Sequence, residues 1–217
     1  WFCAQCDIPE ANEKLTRLPL GMPYPYRNDI LIRRDREKKR RYRIVRYDLA
    51  AFDAGLAVLI AKRPPVSERL PLAFADFAHN NTSRDGRFGE TRQQIAERIA
   101  VNPNVAIPER PLSQFALYEA YSRYAFVVSP HGGGLDCYRT WEAVLMGAIP
   151  IVKRSALDPV YAGFPIVSID DWSEITAANL ARWAEQFSQA WQDGKIEDRL
   201  SLKHWTDKID RAAAAIG

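Results

Sequence analysis

The sequence lacks the features that mark membrane and secreted proteins. No apolar run approaches the roughly 20 residues that a helix needs to cross a bilayer. The first ten residues, WFCAQCDIPE, have neither the basic start nor the apolar core of a signal peptide. We therefore expect a soluble, cytoplasmic protein with no membrane span. Because the chain begins with Trp1, we also expect a fragment or processed product whose start hides any targeting segment.

Cysteine and histidine are scarce, with three residues of each. Three cysteines do not build a disulfide framework, so we expect the protein to occupy a reducing compartment. Cys3 and Cys6 form a lone CxxC, whereas zinc sites usually need a second pair or two histidines. We therefore expect two half-buried thiols and no metal site.

Positive charge is concentrated in one place. The run RRDREKKRRYR at 33–43 carries eight basic and two acidic residues, although the net charge of the chain is only +3. Such a run binds nucleic acid or an anionic membrane in some proteins, but it is more often a solvated helix face or loop. It matches no known nucleic-acid reader motif, so we expect no nucleic-acid partner.

From Leu70 onward, short apolar runs alternate with helical patterns. The predicted strands are 72–78, 105–108, 125–129, 149–153 and 165–169, and the predicted helices are 88–99, 113–124, 136–146, 172–189 and 195–214. This alternation is typical of βαβ units. It predicts an α/β fold: a Rossmann-like parallel sheet with helices on both faces.

The first 69 residues do not show this alternation. They contain a short strand candidate at 17–20, a proline-rich turn, the basic run and a helical stretch at 49–62. We therefore divide the chain into residues 1–69, the remnant of an N-terminal domain with a connector, and residues 70–217, a Rossmann-like domain. Other domains of a longer chain are expected partners.

The stretch SPHGGGLDCYRTWEAVLMGAIPIV at 129–152 is the main candidate for a binding site. Its predicted strand ends at Ser129, a histidine and three glycines follow, Asp136 is placed to cap a helix, and Gly147 is placed to end it. A glycine loop that runs into a helix N-terminus is an anion site in outline. The spacing matches neither the P-loop nor the dinucleotide-binding fingerprint.

Asp136, Arg139 and Glu142 follow one another at intervals of three, which predicts a shared polar edge on this helix. A cation in the first turn is unfavourable unless an anion lies nearby, and a diphosphate would supply one. Glu142, one turn further on, would then accept hydrogen bonds from a ribose diol. The alternative is an intrahelical ion pair between Arg139 and Glu142 with Asp136 as a simple cap, and spacing alone leaves both interpretations open.

The segment GLDCYRTWEAVLMGAIPIVK resembles the donor-binding motif of exostosin-like (family 47-type) glycosyltransferases of the GT-B fold. The similarity extends upstream through YSRYAFVVSPHG and downstream through LDPVYAGFPIVSIDDWSEIT, and the early LTRLPLGM also resembles a segment of these proteins. The resemblance implies the C-terminal donor-binding half of such an enzyme. It also implies transfer of a sugar from a nucleoside-diphosphate sugar to a glycan acceptor, without a metal or other cofactor.

The resemblance also implies roles for particular residues. Arg139 would contact the diphosphate and act in catalysis, Glu142 would contact the ribose, and His131 would face the donor or acceptor unless it is simply exposed to water. The implied donor-binding set is Ser129, His131, Gly132, Gly133, Gly134, Asp136, Arg139, Glu142, Asn81, Arg84 and Arg87. The last three belong to HNNTSRDGR, which also fits an ordinary polar turn.

Two carboxylates that follow a later predicted strand have a simpler interpretation. Asp171 and Glu174 form a capping box for the next helix, which we prefer to a catalytic base. No general base is therefore assigned. A complete GT-B enzyme has a second domain, so the alternative function is a non-catalytic nucleotide-sugar or glycan-binding module of a larger assembly.

Overall fold

The structure is a computed structural model, and it describes residues 2–8, 15–21, 49–79 and 88–214 of the 217-residue chain. The basic run 33–43 lies outside the described residues, as do Asn81, Arg84 and Arg87. The predictions that fall on them therefore stay predictions.

From Leu70 onward, strands and helices alternate along the chain as the sequence pattern predicts, with one additional short helix, Asp158–Tyr161, that the pattern missed. The strands are β1 (Phe2–Ala4), β2 (Thr16–Leu18), β3 (Leu70–Phe74), β4 (Val105–Ala106), β5 (Tyr124–Val128), β6 (Ile149–Lys153) and β7 (Val167–Ile169). The helices are α1 (Leu49–Lys62), α2 (Arg92–Ile99), α3 (Gln114–Arg123), α4 (Tyr138–Leu145), α5 (Asp158–Tyr161), α6 (Ala177–Gln186), α7 (Lys195–Leu200) and α8 (Leu202–Ala214).

Five strands form the main sheet, in the order β4-β3-β5-β6-β7, and every neighbouring pair is parallel. Residues Ala125 to Val128 of β5 are all buried because helices cover both faces of the strand. Ile95 of α2 and Trp183 of α6 pack on one face of the sheet. Tyr121 of α3 and Met146 at the end of α4 pack on the other face, so the predicted Rossmann-like fold is confirmed.

Several helix boundaries follow from local capping. Gly147 has φ +77°, and the N–H groups of Gly147 and Ala148 donate to the carbonyls of Val144 and Ala143 at 3.0 and 2.9 Å. This is a Schellman motif, and it confirms Gly147 as the glycine that ends α4. A Cβ at this position would also overlap the guanidinium of Arg69.

Two long predicted helices are each divided. The predicted helix 172–189 is a 3-10 turn, Trp172–Glu174, followed by α6, because the Asp171–Glu174 capping box closes the turn and Thr176 caps α6. The predicted helix 195–214 is two helices, because Ser201 has extended backbone angles. The capping box is therefore confirmed, but it belongs to a short turn.

The described parts of residues 1–69 pack on the sheet domain. Strands β1 and β2 pair in parallel, and Cys6 joins the apolar cluster that contains Trp141. Helix α1 lies against α3, where the rings of Phe52 and Phe115 meet edge to face with centroids 5.3 Å apart. Whether residues 1–69 are the remnant of a second domain stays a prediction. Among the described helices, none is long and apolar enough to span a bilayer.

Candidate functional site

The connections of the sheet create a crevice at one edge. The chain runs from β3 to β4 on one side and then crosses to β5 on the other side of β3. Parallel α/β sheets bind ligands at such a switch point, outside the carboxyl ends of the two strands. Here those ends lead into residues 75–79 and 129–137, and the second stretch contains six of the eleven predicted donor-binding residues.

The glycine loop is partly occupied by another part of the chain. The N–H of Asp136 donates to Gln5 Oε1 at 2.8 Å, and Gln5 Nε2 donates back to the Asp136 carbonyl at 2.7 Å. A Cβ at Gly134 would overlap this amide, so the glycine permits the approach of a protein side chain. Gln5 itself has φ +58°. Sequence reasoning missed it because it lies 131 residues away.

Asp136 anchors the N-terminal segment to α4. Its carboxylate is only 3% exposed and accepts hydrogen bonds from the N–H of Leu20 at 2.7 Å, the N–H of Cys137 at 2.8 Å and the indole of Trp141 at 2.9 Å. Burial raises the pKa of Asp136, although these donors oppose the shift. The N-cap of α4 is Cys137, so the prediction that Asp136 caps this helix is wrong.

Cys137 and two hydroxyls lie where the first turn of α4 meets the end of β5. The Ser129 hydroxyl is 3.1 Å from the Cys137 sulfur and 2.9 Å from the Thr140 hydroxyl. Ser129 is buried, and its N–H donates to the Ile151 carbonyl at 2.9 Å. The Cys137 side chain makes no capping bond, and its backbone carbonyl accepts a hydrogen bond from the Thr140 N–H of this first turn, at 3.1 Å.

Arg139 extends from this first turn toward the end of β3. Its Nε donates to the Asp76 carbonyl at 3.2 Å, and its guanidinium carbon lies 5.7 Å from the centre of the Phe77 ring. Burial by itself lowers the pKa of the Arg139 guanidinium. The nearby Cys137, Tyr121 and Glu142 raise this pKa by more, so the net shift is upward. Arg139 is therefore a fixed, permanently charged cation at the crevice.

Arg92 is a second buried cation at the crevice, and sequence reasoning missed it. It is the first residue of α2 and donates to the carbonyls of His131 at 2.7 Å and Pro130 at 3.1 Å. Its guanidinium lies 5.9 Å from the centre of the Phe77 ring. Burial, followed by the nearby charge of Arg139, lowers the pKa of Arg92 to about 10.

His131 is buried, with 7% of its surface exposed, so the interpretation of a water-exposed loop histidine is wrong. Its Nε2 atom is buried and has no hydrogen-bond partner among the described residues, and its ring meets that of Phe88 edge to face, with centroids 5.6 Å apart. Burial and the charge of Arg92 lower the pKa of His131. A buried polar atom without a partner is costly unless a ligand satisfies it.

Glu142 turns toward α3. It is 7% exposed and accepts hydrogen bonds from the Tyr118 hydroxyl at 3.2 Å and from Gln114 Nε2 at 3.3 Å. Between the two described side chains of Arg139 and Glu142 there is no salt bridge, because Arg139 points toward Asp76. The alternative of an intrahelical ion pair is therefore wrong, and the ribose contact of Glu142 stays a prediction.

A cavity of about 380 Å³ opens beside the crevice, between the carboxyl ends of β3 and β4. Asp76, His79, Glu109 and Arg110 line it, together with the Phe77 ring. Asp76 Oδ2 accepts a hydrogen bond from the N–H of Leu112 at 3.2 Å. The apolar run LAFADFA made Asp76 look like part of a strand, which is why sequence reasoning missed it.

The structure therefore divides the predicted site residues into three groups. Ser129, His131, Gly132, Gly133 and Arg139 lie on the elements that border the crevice, whereas Gly134, Asp136 and Glu142 are packed against Gln5, the β2 segment and α3. Asn81, Arg84 and Arg87 lie outside the described residues. In the part of the chain that the structure describes, no three His, Cys, Asp or Glu side chains are grouped to hold a metal ion.

Comparison of the chain with models of protein families gave no match, and comparison with curated proteins gave no significant match. The similarity to exostosin-like glycosyltransferases therefore rests on the sequence motifs alone.

Proposed function

We propose that this chain binds a nucleoside-diphosphate sugar in the crevice between β3 and β5 and transfers the sugar to a glycan acceptor. The observation that carries the proposal is Arg139. Its guanidinium is held at the switch point by the Asp76 carbonyl and the Phe77 ring, in the first turn of α4. The helix dipole disfavours a cation there, and a bound diphosphate would reverse that penalty.

The chemistry of sugar transfer fits such an arrangement. Breaking the glycosidic bond leaves the diphosphate with additional negative charge, and fixed donors that receive this charge lower the barrier. Arg139 supplies a charged donor through its guanidinium, and the backbone N–H groups of Tyr138 and Arg139 at the start of α4 supply neutral ones. The unpartnered Nε2 of His131 supplies a further polar contact in the same loop. In this proposal, arginine and backbone donors carry the leaving-group charge.

The acceptor hydroxyl must lose a proton as it attacks the sugar, and a carboxylate near the phosphate site suits that task. We assign the role to Asp76. The Asp76 side chain lines the cavity of about 380 Å³, which is large enough for a small organic group. The backbone carbonyl of Asp76 accepts a hydrogen bond from Arg139. Asp136 has no part in this scheme, because protein donors occupy its oxygens.

A thermal-shift screen of nucleoside diphosphates and nucleotide sugars tests the binding step. We expect at least one nucleoside diphosphate to raise the melting temperature of the wild-type chain, and Arg139→Gln to abolish the rise. Arg123→Gln is the matched control, because Arg123 is an exposed arginine in the last turn of α3. Stabilisation that survives Arg139→Gln would exclude this site, and no stabilisation of the wild type by any nucleotide would exclude the function.

A binding module without catalysis is the second candidate. It is favoured by the burial of Asp136, because protein donors occupy its carboxylate oxygens and leave no open carboxylate at the start of α4 to act as a base. Nucleotide binding without donor hydrolysis or sugar transfer, even with added glycan acceptors, would favour the module over the enzyme.

A further inference from the structure

A second cavity, on the side of the molecule formed by β2, α5, α7 and α8, is lined by cations. We call it the basic pocket, and its volume is about 450 Å³. Its titratable lining residues are Arg17, Arg199, His204 and Lys208. Among the described residues that line it, there is no aspartate or glutamate. It shares no lining residue with the cavity beside the crevice.

The cations of the basic pocket are held by carbonyls and rings. Arg199 donates to the carbonyl of Gly163, and the Trp205 indole donates to the Arg199 carbonyl at 2.9 Å. The Lys208 ammonium lies 5.1 Å from the centre of the Trp205 ring. Neither the carbonyl contact nor the ring contact neutralises a positive charge.

The nearest carboxylate on α8 is engaged elsewhere. Asp207 pairs with Lys203, whose ammonium lies 2.7 Å from its Oδ2 atom, and neither residue lines the basic pocket. The pKa of His204 is lowered by partial burial and then by the charges of Lys208, Arg199 and Arg211. Among the described residues, the charges of Lys208, Arg199 and Arg211 therefore outweigh the opposing charge of Asp207 and disfavour one more cation at His204.

Apolar residues lie beside the cations. Leu15, Pro159, Ala162 and Trp205 line the basic pocket and are half-buried or exposed, whereas Val160 and Phe164, which also line it, are buried in the core cluster. The volume lies within the range of small-molecule sites, which combine apolar walls with a few polar groups. A bare phosphate or sulfate ion would fill only part of this volume and leave Leu15, Pro159 and Ala162 uncovered, whereas a molecule the size of one sugar unit would contact both the cations and these residues.

We propose that the basic pocket binds a phosphate or sulfate group carried on a sugar-sized molecule. Arg199 and Lys208 bind the oxyanion, and Leu15, Pro159 and Ala162 pack against the remainder of the ligand. The inference does not depend on the function proposed for the crevice, because the two sites are built from different elements.

Nuclear magnetic resonance of the histidine rings tests this proposal on the full chain. The chain has only three histidines, so a His204→Asn variant assigns the signals of His204. Glucose 6-phosphate and glucose 6-sulfate are the probes, with inorganic phosphate, inorganic sulfate and glucose as comparison ligands. We expect either sugar ester to shift the His204 signals and to raise the pKa of His204, because a bound anion offsets the neighbouring cations.

Charge-removing variants separate specific binding from general attraction. Lys208→Gln and Arg199→Gln should each weaken binding of the sugar ester by about tenfold, because each removes a charged hydrogen bond to the oxyanion. Arg182→Gln is the matched control, since Arg182 also lies over a tryptophan ring, that of Trp183, but outside the basic pocket. It should leave the affinity unchanged.

Four outcomes would overturn the proposal. The first is that the His204 signals move with none of the probes, and the second is that the sugar esters and the bare ions bind with equal affinity. The third is that Arg182→Gln weakens binding as much as Lys208→Gln or Arg199→Gln does. The fourth is that only the His131 signals move. The last outcome would assign phosphate binding to the crevice and so support the proposed function while excluding this one. Binding at His204 with no nucleotide binding at His131 would do the reverse.

Discussion

Replacing Asp136 by asparagine tests how the N-terminal segment is attached to the sheet domain. The substitution keeps the size of the side chain and turns one carboxylate oxygen into an NH₂ group. Oδ2 accepts from the Leu20 N–H at 2.7 Å and Oδ1 accepts from the Cys137 N–H at 2.8 Å. Either orientation of the amide therefore places its NH₂ group against a backbone N–H group.

The expected loss follows from these contacts. The variant leaves one backbone donor and the new NH₂ group without acceptors, and a buried unsatisfied group costs about 1–3 kcal/mol. Removing a buried charge offsets part of this cost, because burial raises the pKa of Asp136 and so disfavours its charged form. We expect Asp136→Asn to lower the free energy of unfolding by about 2–4 kcal/mol at neutral pH.

Urea denaturation followed by tryptophan fluorescence measures this loss, which should appear as a lower midpoint with an unchanged slope. Asp170→Asn is the control, because the Asp170 carboxylate is 75% exposed and its removal should change stability by less than about 0.5 kcal/mol. Since the folded-state pKa of Asp136 is raised, the stabilisation from proton binding to its carboxyl is complete below the unfolded pKa and is lost as pH rises through the folded pKa, whereas the hydrogen bonds of the ionised carboxylate remain. Equal midpoints for Asp136→Asn and wild type at neutral pH would refute this account of the anchor.

Three further changes test other parts of the structure. Gly147→Ala should cost at least about 2 kcal/mol, because φ is +77° and the new Cβ overlaps the buried Arg69, and an unchanged melting temperature would contradict the Schellman motif. Asp171→Ala should cost about 1 kcal/mol through loss of the capping box. Hydrogen bonds to Ser173 and then the charge of Arg98 lower the pKa of Asp171. The stability that the Asp171 carboxylate contributes is therefore present above roughly pH 4 and is lost as pH falls through the folded pKa. If the stability curves of the variant and the wild type stay parallel in acid, this account is contradicted. Asp76→Asn should lower the rate of sugar transfer by about 100-fold or more without changing nucleotide affinity, and an unchanged rate in a transfer assay would remove Asp76 from the mechanism.

Local pattern was enough to predict most of the fold. The helix at 49–62 and the strand at 149–153 have the predicted bounds, because each is one continuous periodic or apolar segment. Gly147 was predictable as a helix end because a left-handed residue is needed there and glycine supplies it most cheaply. The breaks at Ser201 and Ile175 were not, since no proline or glycine marks either position.

The candidate site was predictable only in part. The spacing of Asp136, Arg139 and Glu142 suggested one shared edge, but each of these side chains has a different neighbour. Asp136 binds Leu20, which is 116 residues away, and Arg139 binds the carbonyl of Asp76, 63 residues away. Helical spacing predicts which residues are adjacent on one helix, but it does not predict which residues of other elements pack against them.

The sequence by itself determined the order of strands and helices, the glycine loop and the presence of Arg139 in a first turn, since all of these depend on neighbours within a few residues. Only the tertiary structure decided that Asp136 is an anchor, that Arg92 joins Arg139 around Phe77, and that cations from β2, α7 and α8 converge in the basic pocket. The physical reason is that burial and charge at a site depend on segments brought together by folding, whose separation along the chain leaves no local signal.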